Sequence, residues 1–182
     1  MKKFLIGSGI FFIIIIGGLA FYGLYYTKTF SPQSVAQYNQ NGVDLKVSYS
    51  RPYKKGRVIF GGLVPYDTIW RTGANEATVF ETNKSLLIKG QPLKAGSYSL
   101  WTIPGEQTWK VIFNSEIGQW GVDFNGQANR DASKDVVSVD VPALTHGKEF
   151  EQFTISIESV GEDFELILLW DNTVVVVPIS IQ

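Results

Sequence analysis

Val43-Asp-Leu-Lys-Val-Ser-Tyr-Ser50 alternates apolar and polar side chains without a break. A period of two places Val43, Leu45, Val47 and Tyr49 on one face of a strand, against a core, and the polar residues on the other. Working outward, the same alternation recurs at Trp109, Val111 and Phe113, at Val137, Val139 and Val141, and at Phe153, Ile155 and Ile157. Phe164–Trp170 is apolar on both faces and Val174–Val177 is continuously apolar, so these read as strands covered on two sides or forming a larger contact surface. Pro178 cannot donate to a ladder and points to an edge or a bulge. Turn signals at Asn41-Gly42, Lys89-Gly90, Pro104-Gly105, Gly161 and Asp171-Asn172 separate the runs into about nine or ten strands. No convincing helical period follows residue 33. Strands without crossover helices pair antiparallel. The expected fold is therefore all-β, an antiparallel β-sandwich of jelly-roll-like topology over residues 34–182.

The amino terminus obeys a different rule. Phe4 to Tyr26 is 23 residues without a charge, preceded by Lys2 and Lys3. As a helix it would measure about 34 Å at about 1.5 Å per residue, enough for a hydrocarbon core of about 30 Å. Tyr22, Tyr25 and Tyr26 fall where an interfacial aromatic belt forms. The flanking lysines keep the short end in the cytoplasm and export the rest. The expected order is a cytoplasmic stub (1–3), a transmembrane signal-anchor helix (4–26), a linker (27–33) and an extracytoplasmic domain (34–182). The competing reading is a signal peptide cleaved near Ala20, giving a secreted or periplasmic product; the apolar run exceeds an ordinary signal core, which favours the anchor.

Composition removes several function classes. With no Cys there is no disulfide, thiolate metal site or cysteine nucleophile, and one His excludes paired-imidazole metal sites. Beyond residue 26 the chain holds 14 basic and 17 acidic residues, a net of −3, so a basic nucleic-acid footprint is missing. No cofactor fingerprint or Gly-rich phosphate loop occurs in the exported part.

Between Ser50 and Thr78 the alternation fails, and a connection of that length is often functional. Within it and beyond it, Tyr49-Ser-Arg-Pro52, Lys55-Gly-Arg57, Ile59-Phe-Gly61, Trp70-Arg-Thr-Gly-Ala-Asn-Glu-Ala-Thr78, Ala95-Gly96 and Trp120-Gly121 resemble the domain of unknown function 2911 family. The resemblance spans about residues 31–181 and implies a bacterial, envelope-associated protein without an established activity. Many members look secreted, whereas this chain looks anchored.

Candidate ligand-binding residues cluster in the same segment: Arg51, Arg57, Trp70, Arg71, Asn75 and Glu76. Arginine forks bind carboxylate or phosphate, and Trp offers a stacking face. The structural reading, which is favoured for this pair, has Arg71 and Glu76 more than half buried, bonded to each other or to loop backbone, pinning the loop to the domain. No catalytic residue is identified. Asp67, Glu76 and Glu81 could supply paired carboxylates to a glycosidase-like envelope hydrolase, but their spacing fixes no separation. His146 reads as an exposed loop residue. Asp123, Asn125, Asn129 and Asp131 present oxygen atoms, yet Gly126 stands fourth and the distant Glu of an EF-hand is missing, so a polar hairpin loop is the better reading than calcium. No metal or cofactor is expected. A binding module for a small molecule, a glycan or an envelope protein is the leading function, ahead of the hydrolase and of a purely structural accessory domain.

The amino-terminal reading has a direct check. The full chain should fractionate with membranes and keep its intact amino-terminal mass; a soluble product beginning at Phe21 would reject the anchor.

Overall fold

The computed structural model describes residues 2–182; the side chains of residues 2–10, 20, 24, 25 and 27 lie outside that description. Helix α1 (Lys2–Phe21) leads into a π turn (Tyr22–Tyr26) and a 3-10 turn (Thr27–Phe30). Among the described residues no helix is long and apolar enough to cross a membrane. Part of the expected 4–26 span thus falls outside the described side chains. Those described in α1 face outward all round: Phe11, Phe12, Ile13, Ile14, Ile16 and Leu19 are each more than 60% exposed.

Nine strands follow: β1 (Gln33–Gln40), β2 (Val43–Ser50), β3 (Thr78–Thr82), β4 (Leu86–Ile88), β5 (Gln91–Leu93), β6 (Gly96–Ile103), β7 (Thr108–Asn114), β8 (Asp135–Val160) and β9 (Asp163–Ile181). All neighbouring strands pair antiparallel, in the order β1-β2-β3-β6-β7-β8-β9-β4-β5. The all-β, antiparallel expectation is met. Instead of two separate sheets, however, the strands form one continuous open ladder. The alternation at 137–141 and at 153–157 belongs to a single strand, β8. Its first part pairs with β7 and its second with β9, with register shifts between Thr145 and Thr154. A sequence pattern reports which face of a strand is buried, not which strand lies beside it, so this continuity had no local signal.

The alternating residues are the core. Val43, Leu45, Val47, Tyr49, Trp109, Val111, Phe113, Val137, Val139, Val141, Phe153 and Ile155 are all buried in one cluster, with Phe164, Leu166, Leu168 and Trp170 of β9. Ile167 and Leu169 on the opposite face of β9 are half-buried. A second, smaller cluster of Ala77, Trp101 and Ile112 lies apart from the first and packs against Ile69, Ile103 and Ala128. The hairpin between β1 and β2 turns at Asn41 and Gly42, with φ of 55° and 73°, as the Asn-Gly pair demands.

The ladder folds back on itself along a seam. Tyr49 of β2 packs edge-on against Phe153 of β8 at 5.8 Å. Its hydroxyl accepts from the Ile155 N–H at 2.8 Å and lies 3.2 Å from the Ile155 carbonyl, to which it donates. Downstream, Arg51 Nε donates to the Phe153 carbonyl and its Nη2 to Thr154 Oγ1. Phe153 N–H donates to the Pro52 carbonyl, Tyr53 bridges Gln152, and Lys54 N–H donates to the Glu151 carbonyl. Lys54 Nζ completes the seam with ion pairs to Asp171 at 2.7 Å and Glu149 at 2.9 Å. Residues 49–54 therefore cover backbone groups of β8 that would otherwise form an open strand edge.

Replacing Tyr49 with Phe keeps the ring and strands two backbone groups of Ile155. Thermal melts of the full chain in detergent should show a loss of about 1–3 kcal/mol, or about 2–4 °C in Tm for each kcal/mol. An unchanged melt would show that the seam does not hold the folded ladder closed.

Candidate functional site

The run from Trp70 to Thr78 builds the site, and nearly every residue in it has a defined partner. Trp70 exchanges both backbone hydrogen bonds with Thr102 of β6, at 2.7 and 2.9 Å. Its indole N–H turns back to the Gly73 carbonyl at 2.9 Å. Its ring stacks on Trp170 at 6.0 Å and 20° and meets Phe60, Trp109 and Phe153 edge-on. Thr72, a fully buried β-branched residue, holds φ of 53°, which costs energy unless its surroundings enforce it. They do so through Thr102 Oγ1, 3.1 Å from Thr72 Oγ1, and through Thr78 Oγ1, which donates to the Thr72 carbonyl at 2.6 Å. Asn75, at φ 59°, donates from Nδ2 to the Ser31 carbonyl at 3.2 Å and to Ser50 Oγ at 3.4 Å.

Over this frame lies a cleft of about 670 Å³. Such a volume suits a small organic ligand. Trp70 and Trp170 line it together with Leu63, Val64 and Ile69. Phe30 and Ser31 contribute one wall and the 121–128 loop another. The loop is the polar hairpin expected from the sequence. Asp123 Oδ1 accepts from the N–H groups of Asn125 and Gln127, and Val122 bridges Ala128. Asp131, the other acid of the weighed calcium stretch, caps a short 3-10 turn by accepting from Ser133 N–H and Oγ, which holds its carboxyl below the usual range. Among the described residues no group of three or more His, Asp or Glu side chains is placed to hold a metal.

Lys55, Arg57 and Arg71 are the charged residues of the lining, which holds no Asp or Glu. Lys55 Nζ sits 5.0 Å above the Phe30 ring and, among the described residues, pairs with no carboxylate. Arg57 is exposed; Nε donates to the Lys54 carbonyl at 3.0 Å and Nη2 to that of Tyr53. Arg71 Nη1 donates to the Trp120 carbonyl at 3.2 Å. Burial pushes the Arg71 guanidinium below its ordinary pKa, an effect the nearby Glu76 charge opposes. Gly121, at φ 97°, lies against the Arg71 stem. A Cβ there would come within 2.4 Å of Arg71 Cδ, so the residue after Trp120 must be glycine for that stem to lie where it does. Trp170, also of the lining, is 1% exposed, and among the described residues its indole N–H finds no hydrogen-bond partner.

The six candidates thus divide. Arg57, Trp70 and Arg71 line the cleft, while Arg51, Asn75 and Glu76 do not. Arg51 belongs to the seam and Asn75 to the loop frame. Glu76 forms its ion pair with Lys28, not with Arg71. Arg71 and Glu76 interact only through their charges, and Arg71 takes the loop backbone as its partner. Of the weighed carboxylates, Glu81 pairs with Lys46 at 2.7 Å, and neither it, Glu76 nor Asp67 lines the cleft. His146 is exposed, its Nδ1 accepting from Lys148 N–H at 2.9 Å. Lys55, Phe30 and Trp170 were not singled out for the site by the sequence. Lys55 belongs to the Lys55-Gly-Arg57 stretch, and the two-faced apolar run of β9 is the signal near Trp170.

Fold and site together define a mostly antiparallel β domain with a cation-lined aromatic cleft. The chain belongs to the family described as protein of unknown function (DUF2911), which matches residues 31–179. No curated protein and no solved structure matches it.

Desolvation raises the Glu76 carboxyl, but the Lys28 hydrogen bond, its own backbone N–H and the charges of Lys28 and Arg71 outweigh that, leaving it below the usual range. A depressed carboxylate stabilises the fold above its unfolded pKa and loses that contribution as pH falls through the folded one. Wild type should therefore melt higher than Glu76→Gln at neutral pH. The gap should close on acidification below the ordinary glutamate range. A gap independent of pH would show that Glu76 acts by packing and not by charge.

Proposed function

We propose that this protein is a membrane-anchored extracytoplasmic binding module whose cleft takes an anionic ligand with a planar or apolar body. The folded ladder serves as the two facing layers of a jelly-roll-like frame, and the long 50–78 connection serves as the binding element. The carrying observation is chemical asymmetry: every charged side chain lining the cleft is a cation. The Trp70 and Trp170 rings suit a flat or aliphatic body, and the Arg71 fork suits a carboxylate or phosphate. Anchoring is supported by α1, whose described apolar side chains are largely exposed and suit a lipid environment.

Calorimetry of the full chain in an uncharged maltoside detergent, with naphthaleneacetate and the uncharged naphthaleneethanol, tests the reading. The acid should bind about tenfold or more tightly, the scale of a charge-assisted hydrogen bond. Arg71→Lys should weaken that preference through loss of the planar fork, and Arg57→Gln with Arg71→Gln should abolish it. Equal binding of acid and alcohol by the wild type would sink the proposal.

A further inference from the structure

The cleft and the amino-terminal helix are joined by a short, ordered connection. Tyr22–Tyr26 and Thr27–Phe30 are continuous helical turns. Tyr22 stacks on Tyr26 at 5.2 Å, and Tyr26 meets Phe30 edge-on at 5.3 Å. Lys28 is tied to Glu76, within the Trp70–Thr78 run, and the Ser31 carbonyl is held by Asn75. Phe30 and Ser31 are themselves cleft wall. Nine residues in such turns span less than about 20 Å, so an apolar helix seated in a bilayer holds the cleft at the membrane surface.

The cleft entrance has matching chemistry. Phe30 is 47% and Leu63 46% exposed, though both are large apolar cleft residues, and Val58, beside Arg57, is 71% exposed. Lys55 and Arg57, the two exposed cations of the lining, stand among them. Apolar side chains interleaved with cations suit an anionic lipid interface, and the interior continues the pattern with an aromatic floor and a third cation, Arg71.

Resting on the binding and anchoring reading above, we propose that the ligand is an anionic amphiphile taken from the bilayer. Its acidic head meets Lys55, Arg57 and Arg71, and its acyl chain lies over Trp70 and Trp170. The helix then does more than retain the domain; it places the cleft where such a molecule is concentrated.

Tryptophan emission reads this directly, because α1 contains no Trp and all five lie in the β domain. The full chain is placed in phosphatidylcholine nanodiscs containing dibromostearate or, at equal mole fraction, its uncharged methyl ester. Bromine quenches indoles that it contacts. Trp120→Phe is the background, so that the partly exposed Trp120 does not report surface contact. Dibromostearate should quench at least threefold more than the ester. Lys55→Gln with Arg57→Gln, both exposed and uninvolved in the core, should bring the two within error of each other. Equal quenching by acid and ester, or an excess that the double variant leaves intact, would overturn the proposal. If naphthaleneacetate binds in detergent with the expected Arg dependence while dibromostearate fails to quench in nanodiscs, the amphiphile is overturned and the anion cleft stands. If neither acts, both readings fall together.

Discussion

Trp70 belongs to the core and to the cleft at once, and most of the structure follows from holding it there. One face of its indole stacks on Trp170, and its edges meet Phe60, Trp109 and Phe153. Its backbone is bound twice to Thr102 of β6, and its N–H closes the following turn on Gly73. Phe60 comes from the long connection, Trp109 from β7, Phe153 from β8 and Trp170 from β9. The five rings thus join distant parts of the ladder to the connection that crosses it. Aromatic contacts of this kind contribute about 0.5–1.5 kcal/mol each beyond the area they bury.

That clamp makes the irregular run after Trp70 tolerable. Thr72 and Asn75 both occupy the left-handed region, and conformations of this kind cost about 1–3 kcal/mol each. The cost is offset by buried side-chain hydrogen bonds to Thr102, Thr78, Ser31 and Ser50. The result is that Arg71 leaves the core on one side while Thr72 enters it, and the Arg71 stem runs beneath Gly121. The Trp70–Thr78 stretch and the Trp120-Gly121 pair, far apart in the chain, are two halves of one packing arrangement.

Strands with one buried face were legible because alternation is imposed residue by residue: β2, β7 and both parts of β8 are where the pattern places them. β1 was not, since Gln33–Gln40 is polar on both faces and buries Ala36 and Tyr38 only in part. β4 and β5 have three residues each, too few to show a period. The single ladder was illegible for a different reason. It depends on β8 changing partners from β7 to β9, and a partner change leaves no trace in the pattern of one strand. In the site, residue chemistry singled out Arg57, Trp70 and Arg71. It also singled out Arg51, whose guanidinium is spent on the edge of β8, because an arginine that satisfies backbone carbonyls and one that awaits a ligand look alike in a sequence.

The remaining question is why three cations stay available in a domain whose net charge is −3. Several acids near the cleft-forming segment are already engaged. Glu76 is held by Lys28, Glu149 and Asp171 by Lys54, and Glu151 accepts the backbone N–H of Lys55 instead of its ammonium. The seam that closes the fold therefore also engages three of these carboxylates. Lys54 and Lys55 are adjacent in sequence and opposite in role: the first is half-buried in ion pairs along the seam, and the ammonium of the second lies over Phe30. Arg57 and Arg71 are oriented by backbone carbonyls, which fix direction without cancelling charge. The positive character of the cleft is a local product of how the acids are shared out, and it persists against the sign of the whole domain.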